Sequence, residues 1–339
     1  MRTSEDGTVL LRLALLIVAL LVSLGLNLCL GDVPLGPAEA WQALTSPHSE
    51  NLRQSGIPII IWQIRLPRLL VAAVVGAGLA GAGYILQALA RNFLADPYLT
   101  GVSSGAGLAV ALAMLTGVDF AFVPLVALSG ALAASLTVAG MARSPQGLSI
   151  TKLLLAGVAL SAICSALITL LMIHSASAIG SQALFFWLAG GISGSSWGEL
   201  SAAAAYIGIG LALSALLSKP LRVLSMGTQS AASLGLDVAK TQWALLLAAV
   251  LMCGAAVSVS GLVGFVGLIA PNVARRLFGT DERLQIAASA LTGSVLVLLS
   301  DLAARTLGQG QELPLGTLLS LIGGPFFLYL VVQQKGEGL

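Results

Sequence analysis

Charged residues are scarce in this sequence. Of 339 residues, 16 are lysine or arginine and 14 are aspartate or glutamate, so that charged residues make up 9% of the chain. Soluble domains carry about 25% charged residues. So few charges cannot cover the surface of a soluble fold of this length, and the composition therefore excludes a soluble protein. The net charge of +2 gives no reason to expect a nucleic acid as partner.

Cysteine and histidine are also rare. Cys29, Cys164 and Cys253 are widely spaced and lie in apolar runs. They are typical of small core residues and indicate neither a disulfide framework nor a metal site. His48 and His174 are the only histidines, which argues against a metal or heme site built from histidine. We therefore expect no metal and no cofactor held by this chain itself.

The sequence lacks the phosphate-binding loop of ATPases. That loop needs a Gly-Lys pair, and the chain contains none. Residues 76–81 match the spacing G-x-G-x-x-G, but no strand precedes them, so a dinucleotide site is not indicated. The small residues Ala72, Gly76, Ala80 and Gly83 instead predict close packing of helices. If ATP drives this protein, another subunit must bind and hydrolyse it.

Long apolar runs dominate what is present. Hydrophobic residues make up 57% of the sequence, in runs that are continuous over about 20 residues, as membrane helices require. The runs predict an all-α, polytopic membrane bundle of about ten helices in a single domain, residues 1–339. The predicted spans are 10–30, 63–90, 96–117, 120–142, 151–173, 199–218, 240–262, 267–279, 284–305 and 313–333. The eighth is short and contains Pro271, which predicts a broken or partial helix.

The positions of lysine and arginine predict the orientation. With the N-terminus in the cytoplasm, 12 of the 16 basic residues lie inside, and four lie outside: Arg53, Arg65, Arg68 and Arg305. The positive-inside rule then places both termini in the cytoplasm. The first apolar run follows Arg2 and Arg12 as in a signal peptide, but it is long and lacks a small-residue cleavage site, so we expect a retained span.

Two polar features stand out against this apolar background. Residues 219–239, predicted inside, alternate leucines with polar residues, which is typical of short amphipathic helices that a cytoplasmic partner could contact. Arg65, Arg68 and Arg305, predicted outside, fit either anchoring to lipid headgroups or a basic rim that docks an acidic protein. Asp301 precedes Arg305 by one turn and could pair with it. The sequence leaves both interpretations of the arginines open.

Four groups of residues resemble the signatures of the FecCD-type permeases, the membrane subunits of ABC importers for iron-siderophores, heme and cobalamin. Leu153–Gly157 also fits this family. The four groups are Arg65-Leu66-Pro67-Arg68 with Gln87, Arg91, Asn92, Asp96, Pro97 and Gly101; residues 261–271, including Gly264 and Pro271, with Arg275 and Gly279; Asp301 and Arg305 with Glu312, Pro314 and Gly316; and Gly323-Gly324-Pro325-Phe326-Phe327.

The resemblance implies an architecture and a set of partners. It implies the fold of a type II ABC importer permease, with about ten helices per subunit, in a bacterial cytoplasmic (inner) membrane. The permease would work as a dimer, with a second copy or a paralogue. Two ATP-binding subunits would hold ATP and Mg, and a binding protein outside the membrane would deliver the ligand. The function implied is import of a bulky metal chelate, of which we expect an iron-siderophore, with heme or cobalamin as alternatives.

The resemblance also assigns roles to residues. Arg65, Arg68 and Arg305 would face acidic groups of the binding protein. Residues 219–239 would couple to the ATPase, and Ile150 and Thr151 would narrow the cytoplasmic gate. The coupling positions are Arg222, Ser233, Leu234, Gly235 and Leu236. The remaining signature positions, Gln87, Arg91, Asn92, Asp96, Pro97, Gly264, Pro271, Asp301 and Pro314, would be structural.

Three departures and two rival functions stay open. Phe93 stands where the family usually has proline, Asn272 where it usually has histidine, and Ile150 is larger than the gate residue expected there. A secondary transporter driven by an ion gradient would need several buried acids, and only Asp301 is clearly within a span. A membrane enzyme would need a clustered set of catalytic groups, which the sequence does not show.

Overall fold

The chain folds into a bundle of helices, as the apolar runs predict. The computed structural model describes residues 2–31, 33–46, 56–145, 147–174, 178–279, 282–308 and 311–334. In this described part, the only strands are β1 (Arg143–Ser144) and β2 (Gly147–Leu148), which form one antiparallel hairpin. Arg53 and Lys335, which contribute to the predicted orientation, lie outside the described residues.

Fourteen helices are named here in chain order. They are α1 (Arg2–Cys29), α2 (Pro37–Thr45), α3 (Ile57–Ala90), α4 (Val102–Leu115), α5 (Val123–Met141), α6 (Ile150–His174), α7 (Ala178–Ala189), α8 (Trp197–Leu216), α9 (Ser218–Ser225), α10 (Thr228–Ser233), α11 (Val238–Ser260), α12 (Val266–Phe278), α13 (Glu282–Leu307) and α14 (Leu315–Gln334). Single 3-10 turns, Pro97–Thr100 and Phe120–Phe122, precede α4 and α5.

The ten predicted spans correspond to α1, α3–α6, α8 and α11–α14. Among the described residues, eight helices are long and apolar enough to cross a membrane, and α4 and α12 are shorter. Residues 219–239 form the two short helices α9 and α10, as predicted. The sequence did not predict α7, a helix of 12 residues in the connection between two predicted spans. We call the end of the bundle with Arg68 and Glu312 the outer end, and the end with Arg91 and Ile150 the inner end, after the predicted orientation.

Helix α4 is shorter than the predicted third span because its beginning is interrupted. The Asp96 carboxylate accepts a hydrogen bond from the Tyr98 N–H at 2.8 Å and caps the 3-10 turn that begins at Pro97. Gly101 then adopts φ +83°, and only after it does the α-helix begin. The 14 residues of α4 span about 21 Å, which is less than the ~30 Å hydrocarbon core.

Helix α12 is a partial helix, as predicted, but Pro271 does not break it. The irregular segment is 261–265, directly before the helix, where Phe265 adopts φ +66°. Irregular backbone at membrane depth must find partners inside the protein. The Tyr98 hydroxyl provides them, since it donates to the Val263 carbonyl and accepts from the Val263 N–H, both at 2.9 Å.

Helix α3 is the centre of the bundle. Of the 18 most apolar consecutive residues of α3, 78% are buried, compared with 11% of the corresponding residues of α1. It packs against α13 most extensively, and also against α11, α8 and α12. A methyl group added at Gly76 would overlap the carbonyl of Gly293 in α13, and one added at Gly83 would overlap the carbonyl of Gly267 in α12. The prediction that the small residues of this helix serve close packing is confirmed.

We predict that Gly76→Ala destabilises the protein, because backbone lies where the methyl group would stand. Overpacking of this kind costs about 1–3 kcal/mol. The matched control is Gly208→Ala in α8, where an added methyl group meets nothing within 4 Å, and where alanine is the better helix former by up to about 1 kcal/mol. Thermal unfolding of the detergent-solubilised chain should show a lower midpoint for the first variant only. Equal midpoints would contradict this packing.

Candidate functional site

At the outer end, Arg68 and Arg305 share one buried carboxylate. Arg68, near the beginning of α3, donates from Nη2 to Asp301 Oδ1 at 2.8 Å and from Nε to both carboxylate oxygens at 3.1 and 3.2 Å. Arg305, one turn after Asp301 in α13, places Nε 3.2 Å from Asp301 Oδ2. The side chain of Asp301 is 1% exposed. Removing one partner of such a buried pair typically costs 3–5 kcal/mol, because the other charge is left without compensation.

Arg65 and Arg305 extend this charged cluster to the end of α1. Arg305 Nη2 donates to the Asn27 side-chain oxygen at 2.5 Å, and Arg65 donates to the carbonyls of Leu28 and Val33. A methyl group added at Gly31 would lie 3.2 Å from the guanidinium groups of both Arg65 and Arg305. The three arginines that the sequence analysis singled out thus lie together, as one cluster.

The structure places these arginines inside the protein. Arg65, Arg68 and Arg305 are only 5%, 8% and 9% exposed, so they do not form an exposed basic rim, which was one of the two interpretations that the sequence left open. The reason is that each has partners within the chain, some of them more than 200 residues away in sequence. Their role in docking a binding protein stays a prediction, and it has to be consistent with this burial.

Glu312 is the accessible member of the cluster. Its Oε1 accepts from Arg68 Nη1 at 2.6 Å, and its side chain is 37% exposed. Partial burial raises the pKa of Glu312, but hydrogen bonds from Arg68, together with the positive charge of Arg68, more than offset this and hold the pKa below its ordinary value. The carboxylate is therefore ionised at neutral pH. Its pairing with Arg68 contributes stability that is lost as the pH falls through the lowered pKa.

Gln87 and Pro271 of the signature act together. Proline has no N–H, so Pro271 leaves the carbonyl of Gly267, four residues before it, without its helical donor. The side-chain nitrogen of Gln87 donates to that carbonyl at 3.2 Å. The helix consequently continues through Pro271, and α3 is tied to α12 at this level. The structural role that the resemblance implies for both residues stays a prediction, with which this hydrogen bond is consistent.

The inner turn after α3 brings together two of the three departures from the family, Phe93 and Asn272. Arg91 ends the helix with φ +48°, and the Asn92 side chain accepts from the Leu94 N–H at 2.9 Å. Asn272 of α12 donates to the Phe93 carbonyl at 2.9 Å. Arg275 donates to the Asn272 side chain at 3.3 Å, and its guanidinium lies 4.1 Å from the centroid of the Phe93 ring. Phe93 and Asn272, 179 residues apart, are therefore one structural unit.

A cavity of about 330 Å³ at the inner end is lined by three groups of residues that the sequence analysis treated separately. Arg91 and Asn92 come from the inner turn, Ile150 and Thr151 are the predicted gate residues, and Leu224 and Thr228 belong to the predicted coupling region. These residues, with Leu89, Ala90, Leu148, Leu154 and Gln242, line the cavity. α9, α10 and the beginning of α6 thus border one cavity.

The hairpin that leads into α6 is anchored on α11. Gln242 is buried, and its side-chain oxygen accepts from the Leu148 N–H of β2 at 2.7 Å. The guanidinium of Arg143 in β1 lies 5.1 Å from the centroid of the Trp243 ring. Gln242 and Trp243 lie in the first turns of α11, directly after the predicted coupling region. Both strands of the hairpin are thus fixed to the helix that this region precedes.

Four of the five predicted coupling residues, 233–236, form the exposed tip between α10 and α11, and Arg222 lies in α9. Arg222 and Ser233 are exposed, Gly235 turns the chain with φ +82°, and Leu236 is half-buried. Leu234 is 69% exposed at this tip.

The remaining signature residues support the irregular segments. Pro97 packs against Gly267, and Gly264 belongs to the segment before α12. The Pro314 carbonyl accepts the Leu318 N–H at 3.2 Å at the beginning of α14. Gly323 of α14 leaves space for the ring of Phe265, so the second and fourth signatures are in contact.

Sequence reasoning missed three residues of these sites. Tyr98 was not singled out, although its hydroxyl serves the backbone of Val263. Glu312 was quoted in a signature without a role. Gln242 is a polar residue in a predicted span, which is the signal that could have drawn attention to it.

Comparison with known proteins identifies relatives over most of the chain. A family model of the FecCD transport family matches residues 15–333. The chain is 39% identical over 304 residues to a cobalamin import system permease from Halobacterium salinarum, which covers 88% of this chain and 81% of the relative. It is 40% identical over 286 residues to a hemin transport system permease from Yersinia pestis, covering 82% and 84%.

Two further comparisons cover almost the whole chain. The achromobactin transport system permease of Dickeya dadantii is 37% identical over 334 residues, covering 97% of this chain and 92% of the relative. Among solved structures, a metal-chelate-type ABC transporter in an inward-facing conformation is similar, with a TM-score of 0.83 and 29% identity, over 98% of this chain and all of that chain.

Proposed function

Since this chain belongs to the FecCD transport family, we propose that it is the permease subunit of an ABC importer that carries an iron-siderophore into the cytoplasm. Transport would proceed by alternating access, driven by ATP that separate subunits hydrolyse. The observation that carries this proposal is the inner cavity at which the predicted coupling helices meet the predicted gate.

The position of Asp301 favours this mechanism over an ion-driven secondary transporter. That alternative depends on an acid within a span that can bind and release a proton. Asp301 is instead held between Arg68 and Arg305, with two of its contacts to Arg68 at 2.8 and 3.1 Å. Its two carboxylate oxygens are thus engaged by the guanidinium groups of two buried arginines. We therefore assign Asp301 a structural role.

The substrate assignment rests on the relatives and on size. Relatives at 37–40% identity are named for achromobactin, hemin and cobalamin transport, all bulky ligands. We favour a siderophore because the achromobactin permease matches the greatest share of this chain among the relatives described above. Heme and cobalamin are the alternative substrates. The partners in this proposal are two ATP-binding subunits, a second permease chain and an extracytoplasmic binding protein.

The proposed coupling path is short. A push from the ATPase on Leu234 would move α9 and α10, whose residues Leu224 and Thr228 line the cavity with Ile150 and Thr151. The same movement would reach the beginning of α11, and from there the hairpin through Gln242. In this path Gln242 is a positioning residue. Its hydrogen bond to Leu148 would make the hairpin, and with it the gate, move together with α11 and the coupling helices.

At the proposed docking site, Glu312 would compete with the binding protein for Arg68. Arg68 is mostly enclosed and is already paired with Glu312. An acidic group of the binding protein would therefore have to displace Glu312 from Arg68. Because Glu312 is the accessible partner and Asp301 the enclosed one, this displacement would leave the buried Asp301 pairs intact.

We expect ATP-dependent uptake when the chain is reconstituted in vesicles with its ATP-binding subunits and the loaded binding protein. Ferric siderophore, heme and cobalamin are offered in parallel, and accumulation inside the vesicles is measured. An ATPase variant that cannot hydrolyse ATP is the control. Uptake that persists with this variant and collapses with an ionophore would support a secondary transporter instead.

Glu312→Gln should strengthen binding-protein docking by about fivefold, because the competing charge at a half-exposed pair is removed. The matched control is Glu199→Gln, a carboxylate at the outer end that bonds to Ser196 and not to the arginine cluster. Affinity of the permease complex for the binding protein is measured in nanodiscs. If Glu312→Gln and Glu199→Gln bind equally, Glu312 does not compete at the docking site.

Gln242→Met should loosen coupling while leaving the helix intact. The lost hydrogen bond is worth about 1 kcal/mol, which corresponds to about a fivefold shift between two positions of the hairpin. We expect fewer substrate molecules to be transported for each ATP hydrolysed. Gln242→Glu, which retains an acceptor oxygen, should restore much of the ratio, and Gln182→Met, at an exposed residue of α7 outside the coupling region, is the control. A purely structural Gln242 would lower uptake and hydrolysis together and leave their ratio unchanged.

A further inference from the structure

The inner turn after α3, residues 91–94, lies between two cavities. Arg91 and Asn92 line the cavity of about 330 Å³ that also contains the predicted gate residues. Phe93 and Leu94 line another cavity, of about 260 Å³, between the turn, α12 and α14. Since there is open space on both sides, the position of this turn depends on the contacts that hold it to its neighbours.

Contacts reach this turn from the coupling region and from α12. A methyl group added at Gly227, between α9 and α10, would lie 3.4 Å from Arg91 Nη1, so Arg91 borders the predicted coupling region. From α12, the Asn272 side chain donates to the Phe93 carbonyl at 2.9 Å, and Leu94 packs against apolar residues of this helix. The turn is thus held between the predicted coupling region and α12.

Arg275 of α12 adds a contact to the side chain of Phe93. Its guanidinium donates to the amide oxygens of Asn272 and Gln87, both at 3.3 Å, and thereby bonds to α12 and α3 at once. These two hydrogen bonds fix the plane of the guanidinium group, which lies 4.1 Å from the centroid of the Phe93 ring. A cation over the face of an aromatic ring attracts the ring. Phe93 is 48% exposed, and Arg275 holds it against the bundle.

The helix dipole explains a cation at this place in α12, but it does not explain the contact with the turn. Arg275 and Arg276 both lie in the last turn of the helix, where cations are favoured. Arg276 donates to the amide oxygen of Gln333 at 2.5 Å, and its guanidinium lies 5.6 Å from the centroid of the Tyr329 ring. The two neighbouring arginines thus make similar contacts with different elements: Arg276 with α14, and Arg275 with α3 and the inner turn.

We propose that Arg275 is a positioning residue for transport, which holds the inner turn through Phe93 as a fixed wall of the cavity that contains the predicted gate. This inference rests on the proposed function. When the coupling helices move, a fixed turn leaves the cavity to open at Ile150 and Thr151. A loose turn would shift into the 260 Å³ cavity instead, and part of the movement would not reach the gate.

The chemistry of both side chains suits this role. Arginine has a planar group that can bond to two amides and still present a face to a ring, which the ammonium group of lysine cannot do. Phe93 stands where the family usually has proline, and proline has no aromatic ring. The stack of Arg275 on Phe93 is therefore a feature of this chain and not of the family signature.

The test combines hydrogen exchange with transport, in the complex of this chain with its ATP-binding subunits and the loaded binding protein. Arg275→Met and Phe93→Leu remove the stack from either side, and Phe93→Leu should fold because Phe93 is exposed. Both variants should show about fivefold faster amide exchange in residues 91–95. The amount of substrate transported for each ATP hydrolysed should fall by a similar factor, measured with whichever of ferric siderophore, heme and cobalamin the unaltered complex takes up. Because the residues form one contact, the double variant should lose no more than Arg275→Met alone.

Arg276→Met is the matched control, because it removes the neighbouring charge and a contact to α14 instead of the turn. It should leave exchange in residues 91–95 unchanged, as should Phe93→Tyr, which retains the ring. Unchanged exchange in Arg275→Met, an equal increase in Arg276→Met, or additive effects in the double variant would each overturn the proposal. Faster exchange with an unchanged ratio of transport to hydrolysis would also contradict it, since Arg275 would then be only structural.

Failure of the proposed function would give a different result. Uptake by the unaltered complex would then persist without ATP hydrolysis. The exchange measurements would still decide whether Arg275 holds the inner turn.

Discussion

The close approach of α3 to its neighbours is the constraint on which the rest of the structure depends. Gly76 meets the backbone of Gly293 in α13, and Gly83 meets the backbone of Gly267 in α12. Backbones this close leave no space for side chains between them. The position of each of the three helices along its axis, relative to the other two, is therefore fixed to within a residue. That fixed height brings Arg68 level with Asp301 at one end and Gln87 level with Gly267 at the other. The charged cluster and the inner turn are thus consequences of one packing arrangement.

The same arrangement determines which polar groups can be buried. Asp301 is tolerated inside the bundle because two guanidinium groups reach it, and the carbonyl of Gly267 is tolerated beside Pro271 because Gln87 reaches it. Membrane interiors offer no water as a substitute partner. Each of these polar residues therefore compensates for another, and the signature residues that look scattered in the sequence form pairs in the structure.

Much of the fold could be predicted from the sequence, because it follows from local properties. Apolar runs located the long helices, and the small residues of α3 indicated a packing face. The burial of Arg65, Arg68 and Arg305 could not be predicted, since it depends on partners such as Asn27 and Glu312 that are distant in sequence. The hydrogen bonds between Asn272 and Phe93 and between Leu148 and Gln242 could not be predicted for the same reason. Membrane propensity determines which segments are helices, and long-range pairing determines what their polar residues do.

The two ends of the bundle differ in how they could move. At the outer end, α1, α3 and α13 are joined through charges that are enclosed and mutually satisfied, and only Glu312 is accessible. Separating these helices would expose charges to the apolar interior, so this end resists opening along α3. At the inner end, the cavity of Ile150 and Leu224 is lined by polar and apolar residues and leaves open space, and a buried hydrogen bond joins Gln242 to the hairpin. A movement into this open space does not require the separation of enclosed ion pairs such as those of Asp301, and the inner end is therefore where this fold can rearrange at the lower cost.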